Sequence, residues 1–268
     1  MNTMSDYLDL TSKVALITGG SSGIGKGAAI EMAKQGASIA LLGRTPSELE
    51  ETGSEIEAIG GECRTYKADV SNSKELKTAI DQAAKDFGRL DIVFANAGIN
   101  GVWAPIDDIT EEEYDQTMDI NLKGTFMTIK FSVPYLREQG KGSIIVTSSV
   151  NGNRMFSNTG ATVYATSKAG QVAMVKMLAI ELGRQNIRIN VICPGAIGTQ
   201  IGDNSERRNT KGLGQPVQFP EGHIPLPGRD LGTIEQVGRL ALFLASDAAD
   251  HINGEVVYID GGQSLVQG

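Results

Sequence analysis

Short apolar runs alternate along this chain with longer stretches in which apolar residues recur every three to four positions. Seven runs read as strands: Val14–Thr18, Ser38–Leu42, Glu62–Lys67, Ile92–Ala95, Ser143–Thr147, Arg188–Ile192 and Val256–Ile259. Several are apolar without a polar alternate, as parallel strands covered on both faces require. Between them the period becomes helical. Leu76, Ile80, Ala83 and Phe87 fall on one helical face. Thr45-Pro46-Ser47-Glu48, Thr110-Glu111-Glu112-Glu113 and Thr233-Ile234-Glu235-Gln236 have the spacing of capping boxes, the first with Pro at the first helical position. A further helix is predicted from about Thr162 to Arg184. This alternation specifies an α/β fold: a doubly wound parallel β-sheet of about seven strands, joined by right-handed crossovers, with helices on both faces. Ligands of such sheets bind beyond the carboxyl ends of the strands.

One segment breaks the rhythm. Residues Thr199 to Asp230 are rich in proline and glycine and carry Glu206, Arg207 and Arg208. They read as a long substrate loop or lid, with at most one short helix, inserted in a single domain that spans residues 1–268. At 268 residues, 40% apolar and 21% charged, the chain is ordinary globular material. A formal charge of −8 with no basic stripe argues against nucleic acid as a partner. No apolar run reaches the ~18 residues needed to span a bilayer. The polar, acidic start, Met1 to Leu10, has no basic and apolar leader pattern, so a cytoplasmic location is expected. Two cysteines, Cys63 and Cys193, lie in predicted strands, and the two histidines are His223 and His251. That composition points to no disulfide framework, no metal site and no His-built triad.

The first strand ends in Thr18-Gly19-Gly20-Ser21-Ser22-Gly23-Ile24-Gly25, and a helix follows with Ile24, Ala28, Ala29, Met32 and Ala33 on its inner side. Glycines there let the backbone turn tightly and let a pyrophosphate approach the amides, while the helix start offers free N–H groups and a positive dipole end. Strand, turn and helix in that order predict a dinucleotide site. The second strand ends Leu41-Leu42-Gly43-Arg44-Thr45. NAD-binding folds usually carry Asp or Glu there to accept from the ribose 2′-OH. Gly43 holds that position instead, and the Arg44 guanidinium suits a 2′-phosphate, with the helix beginning at Thr45 adding its dipole. NADP(H) is favoured over NAD(H); the plainer alternative is that Arg44 is a solvated surface residue.

Tyr164 and Lys168 are four apart in the helix predicted from Thr162, one turn apart on one face. A free tyrosine ionises near pH 10, and a neighbouring ammonium lowers that value. The pair can therefore exchange a proton with an alcohol or carbonyl oxygen. By itself it could be a chance pair on an amphipathic helix.

These motifs reinforce one another. The Thr-Gly-x-x-x-Gly-x-Gly turn, Asn96-Ala97-Gly98, Asn121, Ser149, Tyr164-Ala165-Thr166-Ser167-Lys168, Pro194-Gly195 and Asp260-Gly261-Gly262 together resemble the compact form of the short-chain dehydrogenase/reductase family. The resemblance runs from Lys13 to the end of the chain. It implies a Rossmann-type fold and hydride transfer between a nicotinamide and a small carbonyl or secondary alcohol. It makes Tyr164 the acid/base, Ser149 the group that positions the substrate oxygen (Ser148 being the structural competitor), and Lys168 the residue that tunes Tyr164 and holds the nicotinamide ribose. Asn121 would support a water relay to Lys168, or else mark a helix kink. On the nucleotide side it assigns Gly19, Ser21, Ser22, Gly23, Ile24 and Gly25 to the pyrophosphate turn, and Arg44 and Thr45 to the 2′-group. Asp69-Val70 would meet the adenine, with an ordinary turn role as the alternative for Asp69. Asn96, Ala97 and Gly98 would lie beside the adenosine ribose, or else hold the central sheet. Pro194, Gly195, Ile197 and Thr199 would approach the carboxamide. Ser149 and Tyr164 are about two residues further apart than is usual in the family, which lengthens the Asn151–Thr162 loop beside the substrate pocket. Trp103 lines that pocket or simply packs. The helices from Thr110 and Thr162 look like the family's interfacial pair, which implies a homotetramer. The function expected is NADP-dependent carbonyl reduction, of a ketone or a 3-oxoacyl compound. The alternatives are an NAD-dependent sugar or polyol dehydrogenase, and a dinucleotide sensor without catalysis.

Overall fold

A computed structural model of the chain describes residues 7–214, 224–226 and 231–267. The sheet forms where the apolar runs lie: β1 Val14–Thr18, β2 Ser38–Gly43, β3 Cys63–Lys67, β4 Ile92–Ala95, β6 Gly142–Thr147, β7 Ile187–Pro194 and β9 Val256–Ile259. Their order is β3-β2-β1-β4-β6-β7-β9, and every neighbouring pair is parallel. The order reverses between β1 and β4, so a crevice opens beyond their carboxyl ends.

Helices cover both faces, as continuous apolar strands demand. They are α1 Gly23–Lys34, α2 Pro46–Ala58, α3 Ser73–Phe87, α4 Glu111–Met118, α5 Gly124–Glu138, α6 Thr162–Gly183, α7 Ile234–Ala245 and α8 Gln263–Gln267. Two apolar cores result, one on each side of the sheet. Leu76, Ile80 and Ala83 of α3 are fully buried in one of them, with Phe87 packed at its margin. Trimming Ile80 to Ala leaves a cavity in a layer that cannot collapse fully. A loss of about 2–5 kcal/mol is expected, read as a lower urea midpoint at unchanged slope.

Three local expectations resolve differently. The capping boxes at Thr110 and Thr233 both form. That at Thr45 does not: Thr45 makes no side-chain cap, and the Glu48 carboxylate instead accepts from Ser21 Oγ at 3.1 Å, drawn across to the glycine turn. The long helix around Asn121 is interrupted by one π turn, Asp119–Lys123, between α4 and α5. Trp103 is not in a simple loop. It ends β5, Gly101–Trp103, which pairs in parallel with β8, Ser205–Arg207, from the predicted lid. Of that lid, residues 215–223 and 227–230, His223 among them, lie outside the described residues. The residues that flank it come together, with Ile197 bridged to Gly232.

Candidate active site

A groove of about 1200 Å3 runs along the carboxyl ends of the strands and touches the loops that follow β1, β2, β3, β4, β6 and β7. At one end is the glycine turn. Gly19 and Gly23 adopt φ of 63° and 52°, which favours glycine. A Cβ on Gly25 would run into the Gly19 carbonyl and the Asn96 amide, so the turn closes only with glycine there. Ser22, at the start of α1, makes no side-chain cap, which leaves the first-turn N–H groups to a ligand. Arg44, Thr45, Asp69 and Val70 line this end. Asp69 Oδ1 accepts from both the backbone and the hydroxyl of Ser71, so that oxygen serves the turn. Asn96 is a bolt: its Nδ2 donates to the Thr18 and Gly19 carbonyls, and its Oδ1 accepts from Thr147 Oγ1. The loops after β1, β4 and β6 are thereby fixed to one another. Cradle, uncapped amides and groove fit an extended dinucleotide.

Beyond β6, Ser149, Tyr164 and Lys168 come together on the groove wall. Ser149 is extended and caps a short 3-10 turn, accepting at Oγ from the Asn151 N–H at 3.2 Å. With that lone pair used, its own proton is free to donate. Tyr164 and Lys168 are 7% and 3% exposed. Burial pushes the Tyr164 phenol up, and the Ser149 hydroxyl beside it pulls the other way. Burial also lowers the Lys168 ammonium to about 8. The ammonium does not bring the phenol down as its spacing suggests. Its Nζ donates to the Thr147 carbonyl at 2.9 Å and sits 5.6 Å from the Tyr164 ring centre, and burial sets the direction of the phenol's shift. The resulting site holds a protonated phenol at neutral pH, suited to giving a proton.

Asn121 is fully buried in the π turn. Its side chain accepts from Ile99 N–H and donates to the Ile99 carbonyl and Ser167 Oγ. Its own carbonyl accepts from Thr125 Oγ1 and Gln171 Nε2. The kink therefore has a structural purpose: it ties the segment after Gly98 to α6.

The substrate end is built by three segments. Arg208 N–H donates to the Trp103 carbonyl, the Ala104 N–H to the Gly160 carbonyl, and Thr159 Oγ1 to the Leu213 carbonyl. The lengthened loop and the lid thus close on each other over the pocket. Arg208 fastens the lid by a two-pronged pair with Glu113, both contacts at 2.9 Å. The guanidinium holds the Glu113 carboxyl down to about 2. Trp103 lines the groove, its ring 6.2 Å from that of Tyr164 and with Arg207 4.7 Å over it.

Every residue assigned from the sequence to catalysis or nucleotide contact borders this groove except Gly25 and Asn121, which act from behind its wall, and Pro194, Gly195, Ile197 and Thr199 line it after β7. Residues without a sequence motif also line it: Asn100, Asn151, Met155, Asn158 and Gln263. Gln263 Oε1 accepts from Ala196 N–H and steadies the strand after Gly195. Their signal in the sequence was position: Asn100 follows the Asn96-Ala97-Gly98 turn, Asn151, Met155 and Asn158 follow Ser149, and Gln263 follows Asp260-Gly261-Gly262.

A family model described as enoyl-(acyl carrier protein) reductase matches residues 19–264. Levodione reductase of Leifsonia aquatica is 36% identical over 265 residues, covering 98% of each chain. A solved structure described as a 3-ketoacyl-ACP reductase from Sinorhizobium meliloti superposes with a TM-score of 0.90 at 47% identity, covering 94% of this chain and 99% of that one. A 7α-hydroxysteroid dehydrogenase complexed with NADH and 7-oxo glycochenodeoxycholic acid superposes with a TM-score of 0.86 at 30% identity, over 100% of this chain and 99% of that one.

Proposed function

The chain belongs to the short-chain dehydrogenase/reductase family as an NAD(P)-dependent oxidoreductase of carbonyl and alcohol groups, and from that premise we propose that it is an NADP-dependent carbonyl reductase, of the ketone or 3-oxoacyl type. The observation that carries the reading is the buried Ser149–Tyr164–Lys168 constellation on the groove wall. A bound nicotinamide supplies the hydride. The glycine turn would hold the pyrophosphate on the α1 amides, and Arg44 the 2′-phosphate. Gly195, Ile197 and Thr199 would meet the carboxamide. Ser149 donates to the substrate oxygen as negative charge builds there, and Tyr164 delivers the proton that makes it an alcohol. Lys168 then passes a proton back toward Tyr164.

Carboxylates near the 2′-position favour a second reading, NAD(H): Glu48 and Glu51 line the same end as Arg44. Subunit association fits the outer faces of α5 and α6, where Phe126, Met177 and Ile180 are exposed beside a shallow apolar hollow. A cytoplasmic homotetramer is part of the proposal. NADPH consumption with a panel of ketones tests it. Turnover that disappears in Tyr164→Phe supports it, whereas nucleotide binding without turnover points to a sensor.

The relay from Lys168 has its own test. Asn121 Oδ1 lies 3.1 Å, and Lys168 Nζ 3.4 Å, from the point where a Cβ on Gly98 would sit. A methyl added there would crowd both groups. Gly98→Ala fills that point, and kcat is expected to fall about tenfold with nucleotide affinity little changed. Unaltered kcat would show that protons reach Lys168 by another route.

A further inference from the structure

Charge is unevenly spread along the groove. Among the described residues lining it, Lys26, Arg44, Glu48, Glu51 and Asp69 lie on the segments of the nucleotide end, and Lys168 is the one charged side chain at the catalytic end. Around Ser149 the remaining polar side chains are neutral, the hydroxyls of Thr147, Ser148 and Tyr164 and the carboxamides of Asn100, Asn151 and Asn158.

Two of these amides form a pair. Asn158 Nδ2 donates to Asn151 Oδ1 at 3.2 Å. Asn151 stands two residues after Ser149 and gives it its backbone N–H. Asn158 comes from the lengthened loop. The pair leaves Asn151 Nδ2 as a donor and Asn158 Oδ1 as an acceptor. Among the described residues neither atom has a protein hydrogen bond, and both side chains belong to residues that line the groove. Exchanging oxygen and nitrogen on both side chains again leaves one donor and one acceptor. A hydroxyl is the simple group that satisfies both, since it donates and accepts. A carboxylate only accepts, and an ammonium only donates.

We infer that the Asn151–Asn158 pair binds a hydroxyl on a carbon next to the reacting one, so that the pocket selects uncharged hydroxy ketones and the corresponding vicinal diols. This rests on the catalytic assignment of Ser149 made above. The pair acts in binding and positioning, and takes no part in bond making.

Trp103 is the only tryptophan in the chain and lines the same pocket, so its fluorescence reads binding without turnover. The full-length protein is titrated with acetoin, with butanone, which lacks only the hydroxyl, and with pyruvate, which is charged. Acetoin is expected to bind about tenfold more tightly than butanone, and more tightly than pyruvate. In Asn158→Ala acetoin falls to within about twofold of butanone; Asn158→Leu serves if the alanine variant does not fold. Equal binding of acetoin and butanone in the wild type overturns the inference. So does an Asn158→Ala variant that weakens both ketones equally, as a merely structural role would. Acetoin selectivity without NADPH-dependent turnover would support the inference and count against the reductase reading instead.

Discussion

Replacing Tyr164 with Phe is expected to lower kcat about a thousandfold while leaving nucleotide affinity within about threefold. The phenol oxygen is a proton donor placed beside Ser149 on the groove wall, and a positioned acid contributes about 10²–10⁴ in rate. The ring itself stays, so its packing against Trp103 and its burial are kept. Stopped-flow mixing of the variant with NADPH and a ketone checks this, and a retained fast phase would place the proton donor elsewhere. The pH profile sharpens the test. Lys168 is lowered to about 8 by burial, so its ammonium is complete below that pH and lost above it. Carbonyl reduction consumes a proton. Its kcat should be flat at lower pH and fall as pH rises through about 8. Lys168→Met should lose that limb along with most of the activity. A profile that rises with pH in the reductive direction would contradict this assignment.

The second large effect belongs to Arg44. A guanidinium on a 2′-phosphate makes charge-assisted hydrogen bonds worth roughly 1.5–3 kcal/mol, and a carboxylate in its place adds repulsion. Arg44→Asp should therefore raise the NADPH Kd about a hundredfold or more, at about 1.4 kcal/mol per factor of ten. The NADH Kd should stay within a few-fold or improve, because the introduced carboxylate can accept from a 2′-OH. Nucleotide fluorescence measures both. A variant that binds NADPH as the wild type does would return Arg44 to the solvated surface, and the carboxylates of Glu48 and Glu51 would then define the specificity of that end.

The sheet was legible because continuous apolar runs and intervening helical periods admit few arrangements. All seven strands lie at the sequence-derived positions, and β7 continues two residues further, to Pro194. The glycine turn and the Tyr164–Lys168 spacing are local patterns, so they too were readable. Direction and competition were not. Spacing puts Lys168 beside Tyr164, but only the fold sends its ammonium to the Thr147 carbonyl and lets burial decide the phenol. The Thr45 capping box lost Glu48 to Ser21, a residue from another loop. The π turn at Asn121 needs Ile99 and Gln171 as partners. β5 and β8 are three residues each and a hundred positions apart, too short for periodicity to reveal. Asn151 falls in the Ser149-Val150-Asn151-Gly152 pattern but Asn158 in none, and the meaning of their pairing lies in which atoms remain unpaired.

One measurement bears most directly on the central claim of an NADP-dependent reductase. The purified wild-type protein is titrated side by side with NADPH and NADH, following nucleotide fluorescence. The predicted result is NADPH binding tighter by at least tenfold. Equal or tighter binding of NADH would contradict it and shift the enzyme to the NAD-dependent reading, and binding of neither would contradict the nucleotide site itself.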